Sequence, residues 1–312
     1  MPSLNKLKLK QIINKDALSL GFNGCGIAKA GFLENEAPRF EKWLKSNHNA
    51  GMAFMENNFD KRLNPLLLFE GTKSVISLIY NYNTNVSQNP DSYYTVARFA
   101  LLNDYHFFLK QKMTELVNNL RNIIGNFNAS CYVDSAPIVE KAWAVKSGLG
   151  CIAKNSQLII PGNGSRFFLC EILTDLEPEY DFENKAELCG SCNKCIKACP
   201  TAAINSDRTI NANKCIAYMT IEQKDGMDIS LKNKFNKQIF GCDICLDACP
   251  YNNYSENNTH AIVNLNENII QMNKSDWENM TKDDFKNTLR STSLFRTGYK
   301  KIKKNINFLL KN

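Results

Sequence analysis

Apolar residues recur at roughly helical spacing from the first residues onward. Leu4, Leu7, Ile12, Ile13, Leu18 and Leu20 predict a helix over 4–20, with Gly21 as its stop. A short apolar stretch near Cys25–Ala28, a helix around Ala37–Ser46 and a β-rich run over Ser74–Tyr80 follow. Met113, Leu116, Val117, Leu120, Ile123 and Ile124 then share one face of a long amphipathic helix from about Tyr105 to Ile124, closed by Gly125. A strand over Cys131–Val133 and a helix over Ile138–Ser147 come next. Leu158–Ile160 and Arg166–Leu173 flank Pro161-Gly162-Asn163-Gly164 and predict a hairpin. Further on, Thr281 with Asp284 makes a capping box, and the chain is expected to end in another helix.

The pattern predicts an α/β layer domain over residues 1–185, an inserted cysteine-rich module over 186–255 and a helical basic segment over 256–312. At 312 residues the chain is long enough for about two domains. Its 44% hydrophobic and 22% charged residues are those of a globular protein rather than a disordered or coiled-coil one. No apolar run approaches the roughly 20 residues of a membrane span, and Lys6, Lys8, Lys10 and Lys15 interrupt any export signal. A cytoplasmic protein without a membrane partner is expected, with a monomer as the default.

Charge changes the picture at one end. The net charge is +7, yet the eight basic residues from Lys286 to Lys311 face no acidic residue, so residues 1–285 sum to −1. A polyanion partner is one reading, because neutralised phosphates release counterions; a solvated helix face is the other.

Twelve cysteines without an export signal point to metal rather than disulfides. Cys189, Cys192, Cys195, Cys199 and Pro200 form C-x2-C-x2-C-x3-C-P, the run of bacterial ferredoxins with two four-iron clusters. Cys242, Cys245, Cys249 and Pro250 repeat its end, and Cys215 stands upstream as the missing member. Because the cysteine before proline ligates the other cluster in such folds, Cys189, Cys192, Cys195 and Cys249 are assigned to one [4Fe-4S] cluster and Cys199, Cys215, Cys242 and Cys245 to its neighbour. Structural zinc would need only four ligands per ion and leaves this doubled run unexplained. Cys25, Cys131, Cys151 and Cys170 read as small buried hydrophobes. Two such clusters are a wire for single electrons, and the long segment before them suggests a terminus. Gly21-Phe22-Asn23-Gly24-Cys25-Gly26 lacks dinucleotide-binding spacing.

Longer motifs resemble a known family. Asp134-Ser135-Ala136-Pro137-Ile138-Val139-Glu140-Lys141-Ala142, Gly148-Leu149-Gly150-Cys151-Ile152-Ala153-Lys154-Asn155-Ser156 and Phe167-Phe168-Leu169-Cys170-Glu171-Ile172 closely resemble epoxyqueuosine reductase. Cys215-Ile216-Ala217-Tyr218-Met219-Thr220-Ile221-Glu222 and Gly241-Cys242-Asp243-Ile244-Cys245 continue the likeness, as do Gly51-Met52-Ala53-Phe54-Met55, Lys61-Arg62 and Asp104-Tyr105-His106. The sequence departs from the family at Ala153 and Cys170, where glycine is usual, and at Leu102-Asn103, where Gly-Arg is usual.

The resemblance implies an α/β cobalamin-binding domain, a mixed sheet flanked by helices, with the ferredoxin-like module inserted. It implies reduction of epoxyqueuosine at the tRNA wobble position to queuosine, the last step of queuosine formation. Clusters fed by flavodoxin or ferredoxin would charge cobalamin with electrons. Asp134 would be the proton donor, kept protonated by desolvation; its plainer reading is a helix N-cap. Family positions place cobalamin against Asn57, Ala97, Asp134, Leu158, Leu169, Gln223, Gly241 and Cys242; tRNA contacts are expected to fall on the basic tail, on Arg296, Lys300, Lys301, Lys303 and Lys304.

The histidines are His48, His106 and His260, none in a D-x-H-x-x-G context, so no protein axial ligand to cobalt is expected; His106 otherwise reads as a capping or packing residue. The competing functions are an iron–sulfur electron carrier and a corrinoid reductive dehalogenase of small organohalides.

Overall fold

A computed structural model describes residues 5–183, 185–254, 257 and 264–310. Leu4, His260 and Lys311 lie outside them.

The chain opens with α1 (Lys6–Ser19), capped by the Asn5 side chain, which accepts from Lys8 N at 3.0 Å, and anchored by buried Leu9, Ile13 and Ala17. Next come β1 (Gly24–Lys29), α2 (Ala37–Lys45), α3 (Phe59–Leu63) and β2 (Ser74–Asn81). All eight residues of β2 are buried, as a strand covered on both faces requires. After β3 (Thr95–Val96), Asp104 caps α4 (Tyr105–Ile124), whose Leu109, Met113, Leu116, Val117 and Leu120 form its buried stripe. Gly125 ends α4 at φ 89°, in the left-handed region that glycine enters without strain. Then follow β4 (Ala129–Tyr132), α5 (Glu140–Lys146), β5 (Cys151–Ile152), β6 (Leu158–Ile159) and β7 (Phe167–Thr174).

The main sheet has the order β1-β2-β7-β4, and all three of its pairings are antiparallel. The parallel pairing expected of a mixed sheet lies elsewhere, between β3 and a later strand, β8 (Gln238–Phe240). One face of the sheet packs on α1 and α4 through Ile27, Ile76, Leu78, Tyr80 and Ile172. On the other face Val75 and Leu173 meet Trp143 of α5. The hairpin expected over 158–173 does not form. Its first arm pairs with β5 instead, Cys151 opposite Ile159, and Ile160 closes its own loop by exchanging backbone hydrogen bonds with Gly164. This leaves β7 free to cross the middle of the main sheet.

The cysteine-rich segment contributes α6 (Lys194–Ala198), α7 (Ile216–Ile221), β8 and α8 (Ile244–Asp247). Beyond it, α9 (Glu267–Gln271), α10 (Lys274–Asn279), α11 (Lys282–Leu289), α12 (Ser293–Thr297) and α13 (Tyr299–Leu310) complete the described chain. The expected capping box is present at α11, and a second, Asn273 with Asp276, starts α10. These helices bury Trp277, Phe285, Leu289, Ile302 and Ile306 against Tyr94, Val96, Ala100 and Leu101 and against Ile239 and Phe240. That second core therefore draws on the first 185 residues, the cysteine-rich segment and the C-terminal helices together. Each buried side chain of this size contributes about 1.5–3 kcal/mol, so the three segments stabilise one another.

Candidate active site

Two sets of thiols come together in the cysteine-rich segment. Cys249 lies within electrostatic reach of Cys189 and Cys192, and Cys195 within reach of Cys189 and Cys249. Cys245 is surrounded in the same way by Cys242, Cys215 and Cys199. These neighbours fall on the same two sides as the sets assigned from the sequence.

The first domain grips both loops. Lys154 Nζ donates to Gly190 O at 2.7 Å, Cys192 O at 3.0 Å and Asn193 Oδ1 at 3.0 Å. Asn155 Nδ2 donates to Cys245 O at 3.3 Å, and Arg166 Nη2 reaches Asp247 Oδ1 at 2.6 Å. His48 serves the same joint, its Nδ1 3.3 Å from Asn205 Nδ2.

A cleft of about 790 Å³ opens between α4, the loop after α7, and α12 and α13. Phe99, Ile221 and Phe240 give it an apolar wall, Tyr105, His106 and Asp134 a polar one, and Arg296, Lys300, Lys301 and Lys304 a basic rim.

The polar wall is a network. His106 Nδ1 lies 2.6 Å from Asp104 Oδ1, and its Nε2 lies 3.1 Å from Asp134 Oδ2. Tyr105 Oη donates to the same Asp134 oxygen at 2.9 Å, with its ring stacked on Phe168 at 4.1 Å. The His106 hydrogen bond comes first among the causes that hold the Asp134 carboxyl below the usual range; burial opposes it and the Tyr105 hydroxyl helps. Burial works against a charge on His106, but Asp104 and Asp134 hold its pKa above the ordinary imidazole value. Burial likewise opposes the charge on Asp104, which hydrogen bonds from His106 keep ionised.

These directions run against the expectation that desolvation keeps Asp134 protonated: its carboxyl is held below the usual range and the His106 imidazole above its own. Asp134 is not a helix cap either. It adopts a left-handed backbone, φ 55°, and the N-cap of α5 is Val139. His106 was read only as a capping or packing residue; the Asp-x-His spacing across the start of α4, which brings its ring onto the Asp104 cap, was the signal available.

The remaining expected positions divide. Gln223 lines the cleft with Asp134. Ala97 and Gly241 pack together behind Phe99 and Phe240, so tightly that a Cβ on Gly241, at φ 69°, would lie 2.5 Å from Ala97 Cβ. Cys242 follows Gly241 into the second thiol set. Leu158 and Leu169 lie outside the cleft lining, in a small core with Ile79 and Ala144, because β6 pairs with β5 rather than folding over the cleft. Asn57 sits on an exposed turn, also outside the lining.

Three of the five lysines and arginines expected on tRNA are engaged within the protein. Lys301 Nζ donates to Met219 O at 2.6 Å and Gln223 O at 2.7 Å, Lys304 Nζ to Lys224 O at 2.9 Å, and Lys303 Nζ to Glu278 O. These carbonyls end helices or follow them, where a cation is favoured. Arg296 and Lys300 stay exposed on the rim, Arg296 within 3.8 Å of Asp104 Oδ2.

Fold and site together have the arrangement of an iron–sulfur oxidoreductase, two thiol sets beside a polar, basic-rimmed cleft. Residues 188–252 match the family model for a 4Fe-4S double cluster binding domain, and residues 62–135 the model described as epoxyqueuosine reductase QueG. The chain is 43% identical over 304 residues to the epoxyqueuosine reductase of Cellulophaga algicola, covering 97% of this chain and 99% of that one. It is also 43% identical to that of Cyclobacterium marinum, covering 97% of each. The chain belongs to the epoxyqueuosine reductase family.

A solved epoxyqueuosine reductase with an epoxyqueuosine-modified tRNA-Tyr stem loop superposes with a TM-score of 0.89 at 26% identity, over 97% of this chain and 81% of that one. The catabolic reductive dehalogenase NpRdhA shares the fold alone, with a TM-score of 0.50 at 13% identity over 85% of this chain and 35% of that one. Among the described residues no helix is long and apolar enough to cross a membrane.

Proposed function

We propose that this protein reduces epoxyqueuosine in tRNA to queuosine, taking up two electrons and two protons and releasing water. The observation that carries the reading is the His106–Asp134–Tyr105 network on the wall of a basic-rimmed cleft, in a chain of this family. An electron carrier would have no use for such a network.

Cys189, Cys192, Cys195 and Cys249 hold one [4Fe-4S] cluster, and Cys199, Cys215, Cys242 and Cys245 the other, fed by a low-potential donor such as flavodoxin or ferredoxin. A cobalamin fits the cleft: its apolar wall suits a corrin face, and the Gly241–Ala97 approach holds Phe99 and Phe240 in that wall. Asp134 and Gln223 would touch it. Both ring nitrogens of His106 face carboxylates, Asp104 and Asp134. When bound, cobalamin supplies a reduced cobalt that delivers electrons to the epoxide.

The protein's own residues manage the proton and the RNA. His106 holds a proton on Nε2, pointed at Asp134 Oδ2. As negative charge develops on the epoxide oxygen, the His106 proton passes to it by way of Asp134, which ends the step as the carboxylate it began as, with His106 neutral. Tyr105 fixes the carboxylate's orientation through its hydroxyl. Arg296 and Lys300 meet phosphates at the rim.

Mass spectrometry of wobble nucleosides tests the assignment. Cells lacking the protein are expected to accumulate epoxyqueuosine, and the purified, reconstituted enzyme to convert it to queuosine. Normal queuosine in the deleted strain would overturn it.

A further inference from the structure

One buried carboxyl side chain is employed by nothing above. Glu171, in the middle of β7, is fully buried, and neither of its carboxyl oxygens meets an N–H or O–H donor among the described residues. The group within its hydrogen-bonding reach is the carboxyl of Glu140 at the start of α5. Glu140 Oε1 in turn accepts the backbone N–H of Asp134 at 2.6 Å, at the residue whose φ of 55° turns the loop.

Two carboxylates in contact inside a protein cannot both be ionised, because each would face a like charge without solvent. A proton between them turns the contact into a hydrogen bond. We infer that Glu171 and Glu140 share a proton across a buried carboxyl–carboxyl hydrogen bond, and that Glu140 thereby positions Asp134 through its backbone N–H.

Other charges facing the pair do not supply an alternative. Asp134 and His106 approach Glu140 from the loop and α4, and Lys141 from its own helix. Lys141 aims its Nζ at Ser156 O, 2.8 Å away, and makes no ion pair with Glu140. Burial raises the neighbouring thiols Cys170 and Cys131, so both are neutral. Burial of Glu140 and the Asp134 charge beside it push the Glu140 carboxyl up to about 8, and burial and Glu140 push Glu171 well above the ordinary range. At neutral pH the pair therefore holds at least one proton. Its role in turnover rests on the reading of Asp134 given above; the shared proton does not.

Infrared spectroscopy and kinetics of Glu171→Gln, Glu140→Ala and Glu140→Gln test both parts. The wild-type protein at pH 7 is expected to show a deuterium-sensitive protonated-carboxyl stretch that disappears in Glu171→Gln. Persistence of that band, with no difference from wild type, would overturn the shared proton whatever the kinetics. In the reconstituted enzyme, Glu140→Ala is expected to lower kcat by about 10- to 100-fold through misplacement of Asp134, with KM for the tRNA stem loop and iron content unchanged. Glu140→Gln, which keeps an acceptor for the Asp134 N–H, is expected to restore kcat. Wild-type kcat in Glu140→Ala would overturn the positioning role. A wild-type enzyme that bears the infrared band yet leaves epoxyqueuosine untouched would sink the functional reading and leave the pair standing.

Discussion

Asp134 combines two demands that rarely coincide. Its backbone is left-handed, a conformation that costs a non-glycine residue of order 1 kcal/mol or more, and its carboxylate is held by both His106 and Tyr105. Replacing it with Asn keeps the shape and removes the acid. Asp134→Asn is expected to lower kcat by about 10²- to 10⁴-fold while iron content and stem-loop affinity stay at wild-type values. The His106 proton sets the pH dependence. Because its folded pKa is raised, turnover is expected to fall as pH rises through that value, and His106→Gln to lower the rate and remove the limb from the pH–rate profile. The same linkage governs stability. The ion pairing of His106 is fully present below its ordinary value of 6.5 and lost as pH rises through the raised one. Asp104 and Asp134, with depressed values, contribute above 3.8 and lose that contribution as pH falls through their folded values.

Among the elements, the turn between β5 and β6 joins the sheet to the cysteine loops. Lys154 satisfies three oxygens of the first loop from that turn. Lys154→Met removes hydrogen bonds from a charged donor, worth about 1.5–3 kcal/mol each, and leaves the Cys192 carbonyl without it. The variant is expected to lose iron faster than wild type under a chelator, with far-UV circular dichroism unchanged. The α-helices were legible because their apolar stripes are local: α4 runs over the span its pattern predicts, and the α11 capping box is where Thr281 and Asp284 put it. The hairpin expected over 158–173 does not form because Leu158 and Ile159 pair with Ile152 and Cys151 of β5. Strand pairing is a choice between distant partners, and only the packed sheet makes it.

Across the whole molecule, the C-terminal helices act twice, as a core and as a rim. Lys301, Lys303 and Lys304 hold backbone carbonyls, whereas Arg296 and Lys300 face solvent at the cleft mouth. Binding of a tRNA stem loop is therefore expected to lose about one unit of salt slope for each of Arg296→Gln and Lys300→Gln. Lys303→Gln is expected to leave the slope unaltered and to lower the melting temperature instead. A slope insensitive to Arg296 and Lys300 in fluorescence-anisotropy titrations would remove those two contacts.

By itself the sequence determined the double-cluster domain, most of the helices and the family, because cysteine spacing and apolar periodicity act over a few residues and survive without the rest of the fold. Tertiary structure alone decided where charge resides. Whether Asp134 carries a proton depends on His106, 28 positions earlier in the chain, and whether Glu171 does depends on a helix packed over its strand. Which lysines remain free for RNA depends on carbonyls roughly 80 residues away from Lys301 and Lys304. Protonation and availability are properties of neighbours in space, and the fold supplies those neighbours.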